Sequence, residues 1–102
     1  MNIVYAQKVD TVACRIVEEN LKIVERFLSG VSDSSEKRLK SFKFLMDLTG
    51  ITSESDIDTF GQIFPTERDY ILWKRWYLRN KFNLFWDDKN KVLLLHKSVQ
   101  IE

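Results

Sequence analysis

The stretch TERDYILWKRWYLRNKFNLFWDDKNKVLLLHK, residues 66–97, decides the fold. Thr66 followed three positions later by Asp69 is a helix-starting pair, because the hydroxyl and the carboxylate can each take an amide hydrogen that the first turn leaves unpaired. Tyr70, Ile71, Leu72, Trp73, Trp76, Tyr77 and Leu78 then follow without strand-like alternation, which predicts a helix over about 66–80. Asn80 is followed by a change of pattern. Phe82–Trp86 is a short aromatic run, 87–91 is wholly polar (Asp-Asp-Lys-Asn-Lys), and Val92–Lys97 returns as an aliphatic run. Two β-prone runs around a polar connection predict an antiparallel hairpin. The Leu-Leu-Leu run starts the return strand buried on both faces, and alternation with polar residues begins only after His96.

Upstream, the pattern is helical. Val9, Val12, Ala13, Ile16, Val17, Ile23, Val24, Phe27 and Leu28 fall on one half of a helical cylinder, which predicts a first helix over about 4–29 that Ser29-Gly30 ends. Asp33-Ser34-Ser35-Glu36 starts a second helix, and Gly50 stops it after Thr49. Its inward face is Leu39, Phe42, Leu45, Met46 and Thr49. Ile57, Phe60, Gly61 and Phe64 have helical spacing and predict a short third helix over about 53–63, which Pro65 closes. The expected fold class is therefore mainly α with a C-terminal β-hairpin (α+β): about four helices, then a two-stranded antiparallel hairpin, in a winged-helix-like order. No linker or repeat interrupts the pattern, so residues 1–102 read as a single domain. Ile3–Tyr5 leaves open a third strand beside the hairpin.

Composition narrows the function classes. Of the 102 residues 44% are hydrophobic and 30% charged, a folded rather than disordered balance. A formal charge of +1 is low for a protein that tracks a long nucleic acid by phosphate neutralisation. The lone Cys14 excludes an internal disulfide and reads as a small buried hydrophobe. No run reaches the roughly 20 apolar residues of a membrane span, and no signal-peptide pattern opens the chain. These features lead to an expectation of a cytoplasmic protein, or a nuclear one in a eukaryote, with no membrane association.

Catalytic chemistry finds no motif. There is no Gly-rich phosphate loop, no HExxH and no nucleophile elbow. His96 reads as a strand histidine on a polar face. Asp56/Asp58 and Asp87/Asp88 read as helix-end and loop solvation. The expectation is a protein that is not an enzyme and that uses no metal and no cofactor.

Binding features are more numerous. Nine of the thirteen aromatic residues lie within 60–86. A helix apolar almost all round either is buried on more than one side or feeds a partner. Its polar stripe is Arg68, Arg75 and Arg79, within about 40° of one another on the wheel. Trp, Tyr and Arg are the residue types that dominate interface hot spots. The leading expectation is therefore a small regulatory or accessory factor that docks on a larger protein assembly through Arg68, Arg75, Arg79, Trp76 and Trp86. The alternative is a winged helix-turn-helix DNA-binding protein, a transcriptional regulator, with Arg68, Arg75 and Arg79 facing the groove and Lys89 and Lys91 on phosphates. A third feature is a heptad-like seam on the first helix, with Ile16, Asn20 and Ile23 at its centre and Asn20 able to fix register in a homodimer.

Overall fold

The computed structural model describes residues 9–31, 33–55 and 64–96. Within them the chain forms helix α1 (Thr11–Leu28), helix α2 (Ser35–Thr49), helix α3 (Glu67–Asn80), a 3-10 turn (Lys81–Asn83), and strands β1 (Leu84–Asp87) and β2 (Val92–Leu95). The mainly helical chain with its C-terminal antiparallel hairpin is as expected. The helix count is not: three helices stand among the described residues rather than about four. The expected third helix falls mostly at 56–63, outside the described residues, and Ser53–Ser55, at its expected start, are not helical, with Glu54 and Ser55 in a bend. Those residues bend because Asp69 claims the Ser53 hydroxyl and the Glu54 amide.

Each helix starts and stops on residues suited to it. α1 begins at Thr11, later than the expected position 4, because Asp10 caps it: one carboxylate oxygen accepts the Val12 and Ala13 amides, each at 3.0 Å. Residues 4–8 of the expected first helix, and Ile3–Tyr5 as a third strand, lie outside the described residues. α2 is capped by Ser34, which accepts the Lys37 amide, and is ended by Gly50 in the left-handed region at φ 72°. Asp33 takes no part in that cap. It instead receives Arg26 Nε and Nη2 at 3.0 Å each, tying the end of α1 to the start of α2. α3 has the full capping box that Thr66 and Asp69 foretold.

The core is where the three helices meet β1. Ala13, Val17, Ile23 and Val24 of α1 pack with Phe42 and Leu45 of α2, Trp73 and Tyr77 of α3, and Leu84 of β1. Trp73 is wholly buried, and its indole N–H donates to the Ile51 carbonyl at 2.9 Å, so the polar atom it carries into the core is satisfied. Cys14 is buried, and its thiol points at the Lys81 carbonyl.

The hairpin register pairs Leu84 with Leu95, Phe85 with Leu94, Trp86 with Leu93 and Asp87 with Val92. β1 runs one residue further than the expected strand, Phe82 belongs to the 3-10 turn, and the connection is the four residues Asp88–Lys91. Directly opposed residues share a sheet face. Leu84, Trp86 and Leu93 face the helices, while Phe85 and Leu94 face away. β2 is thus not buried on both faces as its leucine run suggested. Val92 and Leu94 are exposed because a two-stranded sheet packed on helices has only one covered face, and Leu95, opposite Leu84 at the end of the covered face, is exposed as well.

Candidate functional site

α3 is the expected fourth helix, and it is buried on one side only. Asp69, Trp73 and Tyr77 are its buried residues, and Tyr70 and Trp76 are half-buried against the core. Its opposite side is open. Ile71 is 42% and Leu78 is 53% exposed, one heptad apart, and Phe82 in the following turn is 44% exposed. At 1.5 Å rise per residue, Ile71 and Leu78 stand roughly 10 Å apart along the axis. Arg68, Arg75 and Arg79 run down one flank of this apolar line and Lys74 stands on the other, all exposed.

The electrostatics of the two flanks differ. Arg68, Arg75 and Arg79 fill one flank, whereas Lys74 shares its flank with Glu67 and a groove with Glu18 and Glu25 of α1. Arg68 reaches Glu54 at 4.0 Å, with its side chain 74% exposed. Lys74 lies over the Tyr70 ring, 5.6 Å from the centroid, and Lys81 over Phe82 at 5.3 Å. Among the described residues Arg75 and Arg79 have no carboxylate within ion-pair distance.

The inner side ties α3 to the rest of the fold. The Asp69 carboxylate, 1% exposed, accepts the Thr66 and Glu54 amides at 2.9 Å each and the Ser53 hydroxyl. Ser55 Oγ donates to the Phe64 carbonyl at 2.8 Å, so both ends of the 56–63 segment are tied to the start of α3. At the other end of the helix the Tyr77 hydroxyl donates to Glu18 of α1. Burial, with the neighbouring Glu18 carboxylate second, pushes the Tyr77 phenol well above its ordinary range.

The expected site residues do not all meet. Arg68, Arg75 and Arg79 share the open side of α3, with Trp76 at its half-buried edge. Trp86 belongs elsewhere: it lies on the helix-facing side of the hairpin and, with Phe44, Leu48, Lys91, Val92 and Leu93, lines a shallow groove of about 390 Å³ between α2 and β2. Lys89 and Lys91 lie in the hairpin turn beside Asp87 and Asp88. Asp87 folds that turn by accepting the Lys89 and Asn90 amides, and Lys91 Nζ pairs with Asp88 at 2.9 Å. The two cations of the turn are therefore matched by two carboxylates.

On α1, Ile23 is buried in the core, Ile16 and Asn20 are half-buried, and the Asn20 amide donates to the Ile16 carbonyl at 2.7 Å. Self-association through this face would rest on Ile16 and Asn20. His96, just past β2, is exposed and stacks on Phe85 with centroids 4.2 Å apart. Among the described residues no three His, Cys, Asp or Glu side chains converge, and no helix is long and apolar enough to cross a membrane.

The sequence pattern missed Ile71, Leu78 and Phe82 as surface residues. On a helix apolar all round, periodicity alone does not say which side the core takes. Compared with known proteins, the chain matches no family model, no curated protein and no solved structure.

Proposed function

We propose that this chain is a non-enzymatic regulatory or accessory protein that docks on a larger protein assembly through the open side of α3. The observation that carries this reading is the second apolar line of the helix. Ile71 and Leu78 point away from the core, stand exposed, and are framed by Arg68, Arg75, Arg79 and Lys74. Exposed apolar residues bordered by arginine are a composition that protein interfaces favour. Trp76, at the margin, supplies an aromatic contact.

The test is recovery of partners from the native source after nuclease treatment, with wild-type protein and with Ile71→Asp/Leu78→Asp. Both residues are exposed, so the double variant should fold and melt close to wild type. A partner retained by wild type and lost by the variant supports the reading. Partners retained equally by both place the interface elsewhere.

A winged-helix DNA-binding role is the second reading. Its support is that α3 precedes the hairpin, with one 3-10 turn between them, and turns three arginines outward. Ile71 and Leu78 among those arginines, and a turn whose Lys89 and Lys91 are offset by Asp87 and Asp88, weigh toward protein. Strongly salt-dependent retention on duplex DNA, abolished by Arg75→Glu/Arg79→Glu, would favour the DNA reading instead.

A further inference from the structure

Building on the docking reading of α3, we infer that the segment received there is an acidic amphipathic helix of a protein partner. Two features select it. The first is spacing. Ile71 and Leu78 stand at i and i+7, with Lys74 and Arg75 in the turn between them, and Phe82 carries the exposed apolar line into the 3-10 turn, so the outer stripe of α3 has the spacing of a helix–helix seam. An extended peptide, with its two-residue period, meets such a stripe out of step. A helix laid along it meets Ile71 and Leu78 with successive apolar side chains one heptad apart.

The second feature is charge. The flanks of a helix–helix seam set partner choice, and here one flank is wholly cationic, Arg68, Arg75 and Arg79, while on the other Lys74 is offset by Glu67 and by Glu18 and Glu25 of α1. Glu67 is the one exposed carboxylate on the helix. Arg75 and Arg79 also have no carboxylate within ion-pair distance among the described residues. A second copy of α3 would bring arginine against arginine. A basic helix is excluded by the same repulsion. The partner that fits both the apolar line and the arginine flank has leucine-like residues one heptad apart, with glutamate or aspartate along the side that meets Arg68, Arg75 and Arg79.

The probe is a blocked synthetic helical peptide with one row of leucines flanked by glutamates, compared with the same peptide carrying lysines for its glutamates and with a duplex DNA of random sequence. Binding to wild type, Arg75→Glu/Arg79→Glu and Arg75→Gln/Arg79→Gln is followed by fluorescence anisotropy, with circular dichroism melts confirming that each variant folds. The acidic peptide should bind wild type, weaken about tenfold with the glutamine pair and more with the glutamate pair, and the lysine peptide should regain binding on the glutamate variant. Equal binding of both peptides to all three proteins, no binding of the acidic peptide to wild type, or preference for the duplex would each overturn the inference. The two levels separate cleanly. A native partner lost on Ile71→Asp/Leu78→Asp but indifferent to both arginine variants would keep the docking face and remove the acidic helix.

Discussion

Asp10 joins the two ends of the described fold: one carboxylate oxygen caps α1 through Val12 and Ala13, and the other accepts the Trp86 amide of β1 at 2.8 Å. Trp86 pairs across the hairpin with Leu93, and its amide points out of the sheet toward Asp10. A single side chain thus starts the first helix and anchors the hairpin. Those hydrogen bonds, the Trp86 amide foremost, hold the Asp10 carboxyl below its ordinary range. Arg26 does the same for Asp33, the Asn90 side chain for Asp87, and Lys91 for Asp88. A carboxyl with a depressed folded-state pKa stabilises the fold above its unfolded value, about 3.9, and loses that contribution as pH falls through the folded value. Stability should therefore be flat near neutrality and drop in acid below about pH 4. Asp10→Asn should have a shallower acid slope and a lower melting temperature at neutral pH. Amide exchange should quicken at Trp86 and at the start of α1 and not in α2. An acid slope unchanged by the substitution would show that Asp10 contributes nothing to it.

Asp69 and Trp73 are the second anchor. Asp69 gathers the Thr66 and Glu54 amides and the Ser53 hydroxyl while nearly fully buried, and Trp73, one turn on, donates to Ile51. Asp69→Ala removes an acceptor shared by three donors and should cost about 2–3 kcal/mol. Trp73→Phe keeps most of the ring and orphans the Ile51 carbonyl, and should cost about 1–2 kcal/mol. Trp73→Ala opens a cavity and should cost about 3–5 kcal/mol. Denaturant melts of the three variants check the order. A smaller loss for Trp73→Ala than for Trp73→Phe would contradict the packing described here.

The parts of the fold written in neighbouring residues were legible in the sequence. Thr66 and Asp69 are three apart, Gly50 follows its helix directly, and the Asp87–Lys91 polar run separates two β-prone segments; each acts locally, so spacing alone reveals it. Asp10 was read as part of a longer helix because its second partner, Trp86, lies at the other end of the chain. Ser53 read as a helix start for a related reason, since the group that bends the backbone there is Asp69. The arginine stripe was legible because i, i+7 and i+11 positions share a side of any helix. Which apolar residues of α3 face outward was not, since Ile71 and Trp73 are equally apolar and only the placement of α1 and α2 separates them. Composition alone groups Trp86 with the arginines. The covered face of the hairpin, set by the packing of Leu84 and Leu93, sends it toward α2 instead.

Tyr77 gives a prediction in base. Its hydroxyl is buried beside Glu18, and burial raises the phenol strongly, as it raises Tyr70 to a lesser degree. A raised folded-state pKa stabilises the fold fully below the unfolded value of about 10 and is lost as pH rises above it. Stability should therefore hold up to about pH 10 and then fall. Tyr77→Phe should lower stability at neutral pH by about 1–2 kcal/mol and soften that alkaline fall. Ultraviolet titration of the phenols should show one tyrosine that ionises only as the protein unfolds. Ordinary, fully reversible ionisation of every tyrosine in the folded protein would remove the Tyr77–Glu18 bond from the account.

Lys91 predicts a change in the opposite direction. It ends the four-residue hairpin connection at φ 55°, in the left-handed region that a lysine side chain makes costly and glycine enters freely. The same residue pairs with Asp88, but that pair is surface-exposed and worth little. Lys91→Gly should therefore stabilise the protein by about 0.5–1 kcal/mol, because the relief of strain exceeds the flexibility that glycine adds to the unfolded chain. Lys91→Ala, which removes the same charge and keeps the Cβ, should gain nothing. The pair of variants isolates backbone strain from charge, and a higher melting temperature for both would assign the gain to the lost charge instead. Neither substitution touches the open side of α3, so both should leave partner capture intact. Loss of duplex DNA retention in both would instead mark the turn as a phosphate contact.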